Sequence, residues 1–248
     1  MIVISRWILA LVLAGTSVAG HSASRNGFAL DGASIPVSEI HSGGPGRDGI
    51  PAIDRPRFAS AGEARWLRPA DRVIGVSLGG VSRAYPVRIL DWHEIVNDRI
   101  GGRGIVVTWC PLCGSGAVFA SDPDGRPHRF GVSGLLYNSD VLLYDRETES
   151  LWSQLGMEAV SGPLKGRRLE LLPASLSSWQ AWRTAHPRTQ VLSRETGFRR
   201  DYGRSPYGDY AQDRRIWFPV AFRSQAYHPK ERVLGLVLGS RAQGVCRT

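Results

Sequence analysis

Cysteine and methionine are scarce in this chain, with three cysteines and two methionines in 248 residues. Three cysteines cannot build a disulfide scaffold, so the fold must stand on an apolar core, which a chain of this length can bury. Lysine is almost missing: Lys165 and Lys230 are the only two, and arginine carries the positive charge. The formal net charge of +9 is unevenly placed, with 15 basic and 16 acidic residues over 1–164 and 16 basic and 6 acidic over 165–248. Those arginines are interleaved with Asp and Gly, with no dense basic run and no nucleic-acid-binding motif, so they read as a solvated face and no nucleic-acid partner is expected. No phosphate-binding glycine loop, no dinucleotide fingerprint and no Gly-x-Ser-x-Gly nucleophile elbow occurs. Beyond the first 20 residues no apolar run approaches the roughly 20 residues of a membrane span, so no transmembrane segment is expected in the mature chain. Apolar content of 42% and charged content of 21% are those of a globular protein and argue against wholesale disorder.

What is present begins with "MIVISRWILALVLAGTSVAG" over residues 1–20. One arginine, a short apolar middle from Trp7 to Leu13 and small residues at the end have the layout of a secretory signal peptide. The expectation is an exported protein, periplasmic or extracellular. Residues 21–60 are rich in Gly, Ser and Pro and read as an extended leader wrapping onto a domain over 61–248.

From residue 72 the pattern is mainly β. "RVIGVSLGG" and "VSRAYPV" are joined by Gly-Gly, a hairpin signal, and further runs include "GIVVTW", "GAVFAS", "HRFGVSG", "DVLLYD", "SLWSQL" and "RRLELL". "DPDG" at 122–125 reads as a tight turn. Ile89, His93, Val96 and Ile100 fall at helical spacing before Gly101-Gly102, which predicts one helix; "SLSSWQAWRTAHP" predicts a second, capped by Ser175 or Ser177 and stopped by Pro187. The fold class is therefore α+β, mainly β: a mixed or antiparallel sheet system, open or barrel-like, with two short helices. "RPADRVIGVSLGG" at 68–80 returns as "HPKERVLGLVLGS" at 228–240, a weak internal repeat. With so little chain after the second copy, its partner strand is expected to be absent or atypical and the C-terminal part abbreviated.

The stretch "VVTWCPLCGSG" places Cys110 and Cys113 three positions apart at the end of a β run. Two thiolates on a Pro- and Gly-shaped turn can face one ion, and copper, zinc or iron accepts such ligands. The pair is half a site, so further donors must come from elsewhere. "WCPLC" is equally a dithiol–disulfide couple of a periplasmic oxidoreductase, although the residues that follow are poor helix formers, and such thiols usually sit at a helix N-terminus. The third reading is a structural disulfide in a binding module. His93, inward on the first predicted helix and 17 positions before Cys110, is either a hydrogen-bonded core residue or the third ligand; as a ligand it would have Glu94 or Asp91 orienting its free ring nitrogen. His128, His186 and His228 read as surface or capping residues. "SGLLYNSDVLLYDRETESLWSQ" supplies a candidate pocket lining of Tyr137, Asn138, Asp140, Asp145, Arg146, Trp152 and Gln154, with aromatic walls and polar groups for orientation.

"GGPGRDGIPAID", "RAYPVRILDWHEIVND", "VTWCPLCGSG", "FGVSGLLYNSDVLLYDRETESLWSQ" and "ETGFRRDYGRSPYGDY" together resemble the DUF3179 family, from about residue 43 to about 240. Its members are mostly exported bacterial and archaeal proteins of unknown function. The resemblance implies that the motif positions form one site and leaves the reaction open, so whether the chain is an enzyme stays undecided. Members commonly continue past the second "RVLGLVLG" strand, and Cys246 inherits no role from the family.

Overall fold

The structure is a computed structural model, and it describes residues 23–238 and 241–246, with side chains described as far as Val233. The expected signal segment falls on residues 1–20, outside the described ones. Strand accounts for 36% and helix for 8% of the chain, in several antiparallel and mixed sheets, so the fold is α+β and mainly β. No sheet closes among the described residues, which removes the barrel-like form.

Four short strands precede residue 61: β1 (Ser24–Arg25), β2 (Phe28–Ala29), β3 (Ile40–Ser42) and β4 (Phe58–Ser60). A hairpin follows, β5 (Arg72–Leu78) and β6 (Val81–Pro86), then helix α1 (Val87–His93), then the meander β7 (Ile95–Ile100), β8 (Arg103–Cys110) and β9 (Ser115–Ala120). Next come β10 (Phe130–Tyr137), β11 (Asp140–Asp145), β12 (Leu151–Ser153), β13 (Glu158–Ser161) and β14 (Ser175–Ser178). Helix α2 (Trp179–Ala185), β15 (Gln190–Leu192) and a terminal hairpin of β16 (Val233–Leu238) with β17 (Arg241–Cys246) complete the order.

Two five-stranded sheets, β13-β12-β11-β10-β3 and β14-β5-β6-β15-β4, flank the three-stranded sheet β7-β8-β9. The extended segment before residue 61 is thus built into the domain: β3 pairs with β10 and β4 with β15. Period-two alternation on β8 makes the middle sheet a two-faced layer. Ile105, Val107 and Trp109 pack with Ile74 and Tyr85 of β5–β6 and with Leu90 of α1. Val106 and Cys110 point the other way and pack with Phe130, Val141 and Trp152. The second face is clamped by Asn97, whose amide donates to the Phe130 carbonyl and accepts from the Phe130 N–H, both at 2.8 Å.

The first helix is shorter than its spacing predicts. It ends at His93, Glu94 takes a left-handed conformation (φ 57°), and Ile95–Ile100 continue as strand. Ile95, Val96 and Ile100 are β-branched, and alternation on a buried sheet satisfies them better than one more helical turn. Gly101-Gly102 is accordingly the β7–β8 hairpin turn, with φ of 55° and 83°. A Cβ on Gly101 would collide with Gly79 at the tip of the β5–β6 hairpin, so the two turns pack backbone to backbone.

The second helix is capped later than either predicted position, one residue after Ser177 and three after Ser175. Ser178 is the N-cap, its hydroxyl accepting from Ala181 N, while Ser175–Ser178 form an edge strand on β5. "RRLELL" forms only isolated bridges, Glu158–Arg168 and Phe119–Leu171. The second copy of the internal repeat does find its partner: β16 pairs with β17 from Val233–Cys246 to Leu238–Arg241, so both copies run through hairpins.

Candidate metal centre

β8 delivers Cys110 to the buried face of the middle sheet, where it is 1% exposed. The turn Pro111–Gly114 closes with a 2.9 Å bond from Gly114 N to Cys110 O, and Ser115 returns directly opposite Cys110. This turn puts Cys113 at the surface, and both cysteines are free thiols. The third donor comes from the next sheet. Asn138 and Ser139 take φ of 51° and 60°, so the β10–β11 turn is tight and Asp140, 4% exposed, opens β11 beneath the knuckle. Cys113 Sγ lies 3.3 Å from Asp140 Oδ1, and single donor atoms of Cys110, Cys113 and Asp140 all fall within 4.8 Å of one another.

A hydrogen-bond chain fixes the surface thiol. Thr108 Oγ1 donates to Ala117 O, Gln154 Nε2 donates to Thr108 Oγ1, and Ser115 Oγ donates to Gln154 Oε1, at 2.8, 2.8 and 2.9 Å. Ser115 Oγ also lies 2.8 Å from Cys113 Sγ, so the chain ends on the surface thiol. Thr108 and Cys110 share a face of β8 because they are two residues apart, so one strand supplies both the ligand and the base of this chain.

The electrostatics are one-sided. Burial drives the Cys110 thiol well above its ordinary value, and the nearby Cys113, Asp140 and Glu94 push the same way. Burial raises Asp140 to about 6, against the Leu155 N–H that donates to its Oδ2 at 3.0 Å. Among the described residues no lysine or arginine hydrogen-bonds or ion-pairs with Cys110, Cys113 or Asp140. Three acidic donors are therefore gathered without a protein cation.

The segment 196–218 lays three tyrosines over this region. Tyr207 donates to Glu94 Oε1 at 2.7 Å; Glu94 is buried, and desolvation raises its carboxyl to about 7. Tyr210, 2% exposed, feels both thiols. Tyr202 faces His93, and this corrects the ligand set expected from the sequence. His93 is fully buried with both ring nitrogens engaged, Nδ1 to Pro51 O at 2.7 Å and Nε2 with the Tyr202 hydroxyl at 2.7 Å. Burial lowers its pKa, so it is a neutral tie between α1 and its surroundings and stands outside the thiol group. Asp91 and Glu94 do not orient it. Asp91 accepts from Trp109 Nε1 at 2.9 Å, and Glu94 is held by Tyr207. His93 and Glu94 are adjacent in sequence, but the left-handed Glu94 sends their side chains to different neighbours.

A model of the family described as "Protein of unknown function (DUF3179)" matches residues 47–247. The chain belongs to the DUF3179 family. The match runs past residue 240 and through the terminal hairpin. No curated protein and no solved structure matches the chain.

The DUF3179 motif around residues 133–154 does not line one pocket. Asp140 and Gln154 join the thiols, whereas Asn138 turns outward and accepts from Ala221 N at 2.8 Å. Tyr137 packs beside Ile40 and Leu135 on another face. Arg146 bonds Asp48 at 3.0 and 3.2 Å, far along β11 from Asp140. Trp152 Nε1 donates to Asp145 Oδ2 at 2.9 Å, and Asp145 also receives Thr148 N at 2.7 Å and faces His128 Nδ1 at 3.0 Å. His128 is thus buried, not superficial. Burial lowers its pKa, but Asp145 and Asp124 outweigh that and raise it, so it works as a charged tie between two turns. His128, Asp145 and Glu147 are a second close donor group, yet Asp145 is already saturated by Trp152 and Thr148.

A cavity of about 380 Å³ lies in this DUF3179 fold between the C-terminal end of α1, β10–β11 and the tyrosine-bearing segment. Leu112 of the knuckle, Val141 beside Asp140, and Glu94 with Tyr207 all line it, so it opens next to the thiol group.

Proposed function

We propose that this DUF3179 protein binds a metal ion through Cys110, Cys113 and Asp140. One observation carries the reading: two thiols and a carboxyl, two of the three buried, lie within 4.8 Å with no cation among the described residues paired to them. Acidic groups concentrated in a low-dielectric site are costly unless a cation neutralises them, and a transition ion does so while also coordinating the sulfurs. The mixed sulfur and oxygen set suits zinc better than copper(I), which prefers sulfur alone. Three protein donors leave a tetrahedral ion one open position.

A thiol–disulfide oxidoreductase is the rival reading, and two features weigh against it. The buried Cys110 has its thiol form favoured, not its thiolate, and Cys113 leads into strand β9 with no helix N-terminus to stabilise a thiolate. Export is part of the proposal and rests on the character of residues 1–20; mass spectrometry of the mature protein should find its N-terminus near residue 21, and an intact Met1 on the mature protein would contradict it.

Metal-stripped, reduced protein should take up one equivalent of zinc, as read by elemental analysis after desalting. Serine at Cys110 or at Cys113 should abolish retention, and Asp140→Asn should weaken it. Retention of the full equivalent by both serine variants would overturn the assignment.

A further inference from the structure

The cavity beside the thiol group has a composition of its own. Its lining includes four aromatic residues, Trp92, Tyr207, Trp217 and Phe218, and two acidic ones, Asp91 and Glu94. The aromatic side is braced by Tyr207 and Trp217 stacked at 6.3 Å, with Tyr210 against Trp217 at 4.3 Å. Glu94 is 6% exposed, and only its Oε1 is engaged, by Tyr207; Oε2 has no hydrogen-bond partner among the described residues. Oε2 keeps access to solvent, as does the half-exposed Trp217 wall, so a bound donor can reach it.

The backbone at Glu94 points the same way. A glutamate with φ of 57° is strained, and asparagine or glycine would hold this helix end more easily. The strained conformation is what aims the carboxyl at the cavity and Tyr207, so local stability is given up for the placement of one acidic group. Among the described residues the only basic side chain lining the cavity is Arg200, which is exposed and whose guanidinium lies over the Trp92 ring at 5.9 Å. That contact shows that an aromatic face at this mouth accepts a cation.

We propose that the cavity is a binding site for a small organic ammonium ion, with its charged head on Glu94 Oε2 and its apolar body against the aromatic walls. The volume of about 380 Å³ falls in the range of small-molecule sites. Aromatic faces and a carboxylate are the two groups that recognise organic cations, the faces through their quadrupole and the carboxylate through charge-assisted hydrogen bonds. A neutral apolar ligand would leave Glu94 Oε2 unpaired, and an anionic one would meet two carboxyls. The site is independent of whether a metal occupies the thiol group, because none of its anchoring groups is Cys110, Cys113 or Asp140.

Three probes of one shape test it on the metal-stripped, reduced protein by calorimetry: phenethylammonium, 2-phenylethanol and 3-phenylpropionate. Phenethylammonium should bind at least about tenfold more tightly than the alcohol, the margin of one charged hydrogen bond, and the carboxylate should not bind. Glu94→Gln should remove that margin and leave the alcohol's affinity unchanged; Trp217→Leu, with Glu94 intact, should weaken amine and alcohol together. Circular dichroism confirms that each variant is folded. Equal affinity for amine and alcohol, tightest binding of the carboxylate, an undiminished margin in Glu94→Gln, or no binding of any probe by folded protein would each overturn the proposal. Zinc uptake by the same preparation separates this outcome from the fate of the metal centre.

Discussion

The Tyr207 hydroxyl donates to Glu94 Oε1 at 2.7 Å, joining residues 113 positions apart. This bond fastens the irregular segment after β15 to the end of α1. It is also the leading influence that favours the charged form of Glu94, against burial, Asp91 and Asp140. Tyr207→Phe should therefore push the Glu94 carboxyl further above 7. Carbon-detected NMR titration of the side-chain carboxyls reads this directly, and a Glu94 that titrates lower in the variant would contradict the assignment.

The metal-free protein should lose stability as pH rises from about 4 to about 7. Asp140 and Glu94 ionise near 3.8 and 4.5 when unfolded but near 6 and 7 when folded, so in that window the folded state holds more protons. Raising the pH then favours unfolding, and the contribution levels off above the folded values. His93 opposes this at the acid end, since burial keeps it neutral when the unfolded ring, with its value of 6.5, takes a proton. The comparison is therefore made between variants in denaturant titrations. Asp140→Asn combined with Glu94→Gln should flatten the decline and gain about 1–3 kcal/mol at pH 8. An unaltered pH profile in the double variant would count against the buried acidic group.

His93→Ala should cost about 2–4 kcal/mol of stability and leave zinc affinity unchanged. It empties a fully buried site, strands the Pro51 carbonyl and leaves the Tyr202 hydroxyl with Thr196 alone. Chemical denaturation and a zinc titration on the same variant separate the two effects. A large loss of affinity with stability intact would restore His93 to the ligand set.

Strand identity and the cysteine knuckle were legible because both are local. "DVLLYD" is β11 from end to end, and "VVTWC" carries the alternation that places Cys110 on the inner face of β8. The helical spacing of Ile89, His93 and Val96 misled because a single residue, Glu94 with φ of 57°, switches the period from helix to strand. Asp140 was recognisable as a polar residue among buried strands, but its place beside Cys113, 27 positions away, comes from sheet stacking that no chain spacing encodes. The tyrosines of "RRDYGRSPYGDY" were a visible signal whose partners were not. Tyr202, Tyr207 and Tyr210 lie in turns without periodicity, and only the packed fold sets them against His93, Glu94 and the thiols.

The most direct test is a zinc titration of anaerobic, metal-stripped protein with proton release recorded alongside, at pH 7 and with Cys113→Ser as the paired variant. Metal binding must displace the thiol proton of Cys110, whose ordinary value burial raises, so the account predicts one zinc per chain with proton release. It also predicts no stoichiometric binding to Cys113→Ser. Equal binding by parent and variant, or a parent that takes up no zinc while both thiols remain reduced, would contradict it.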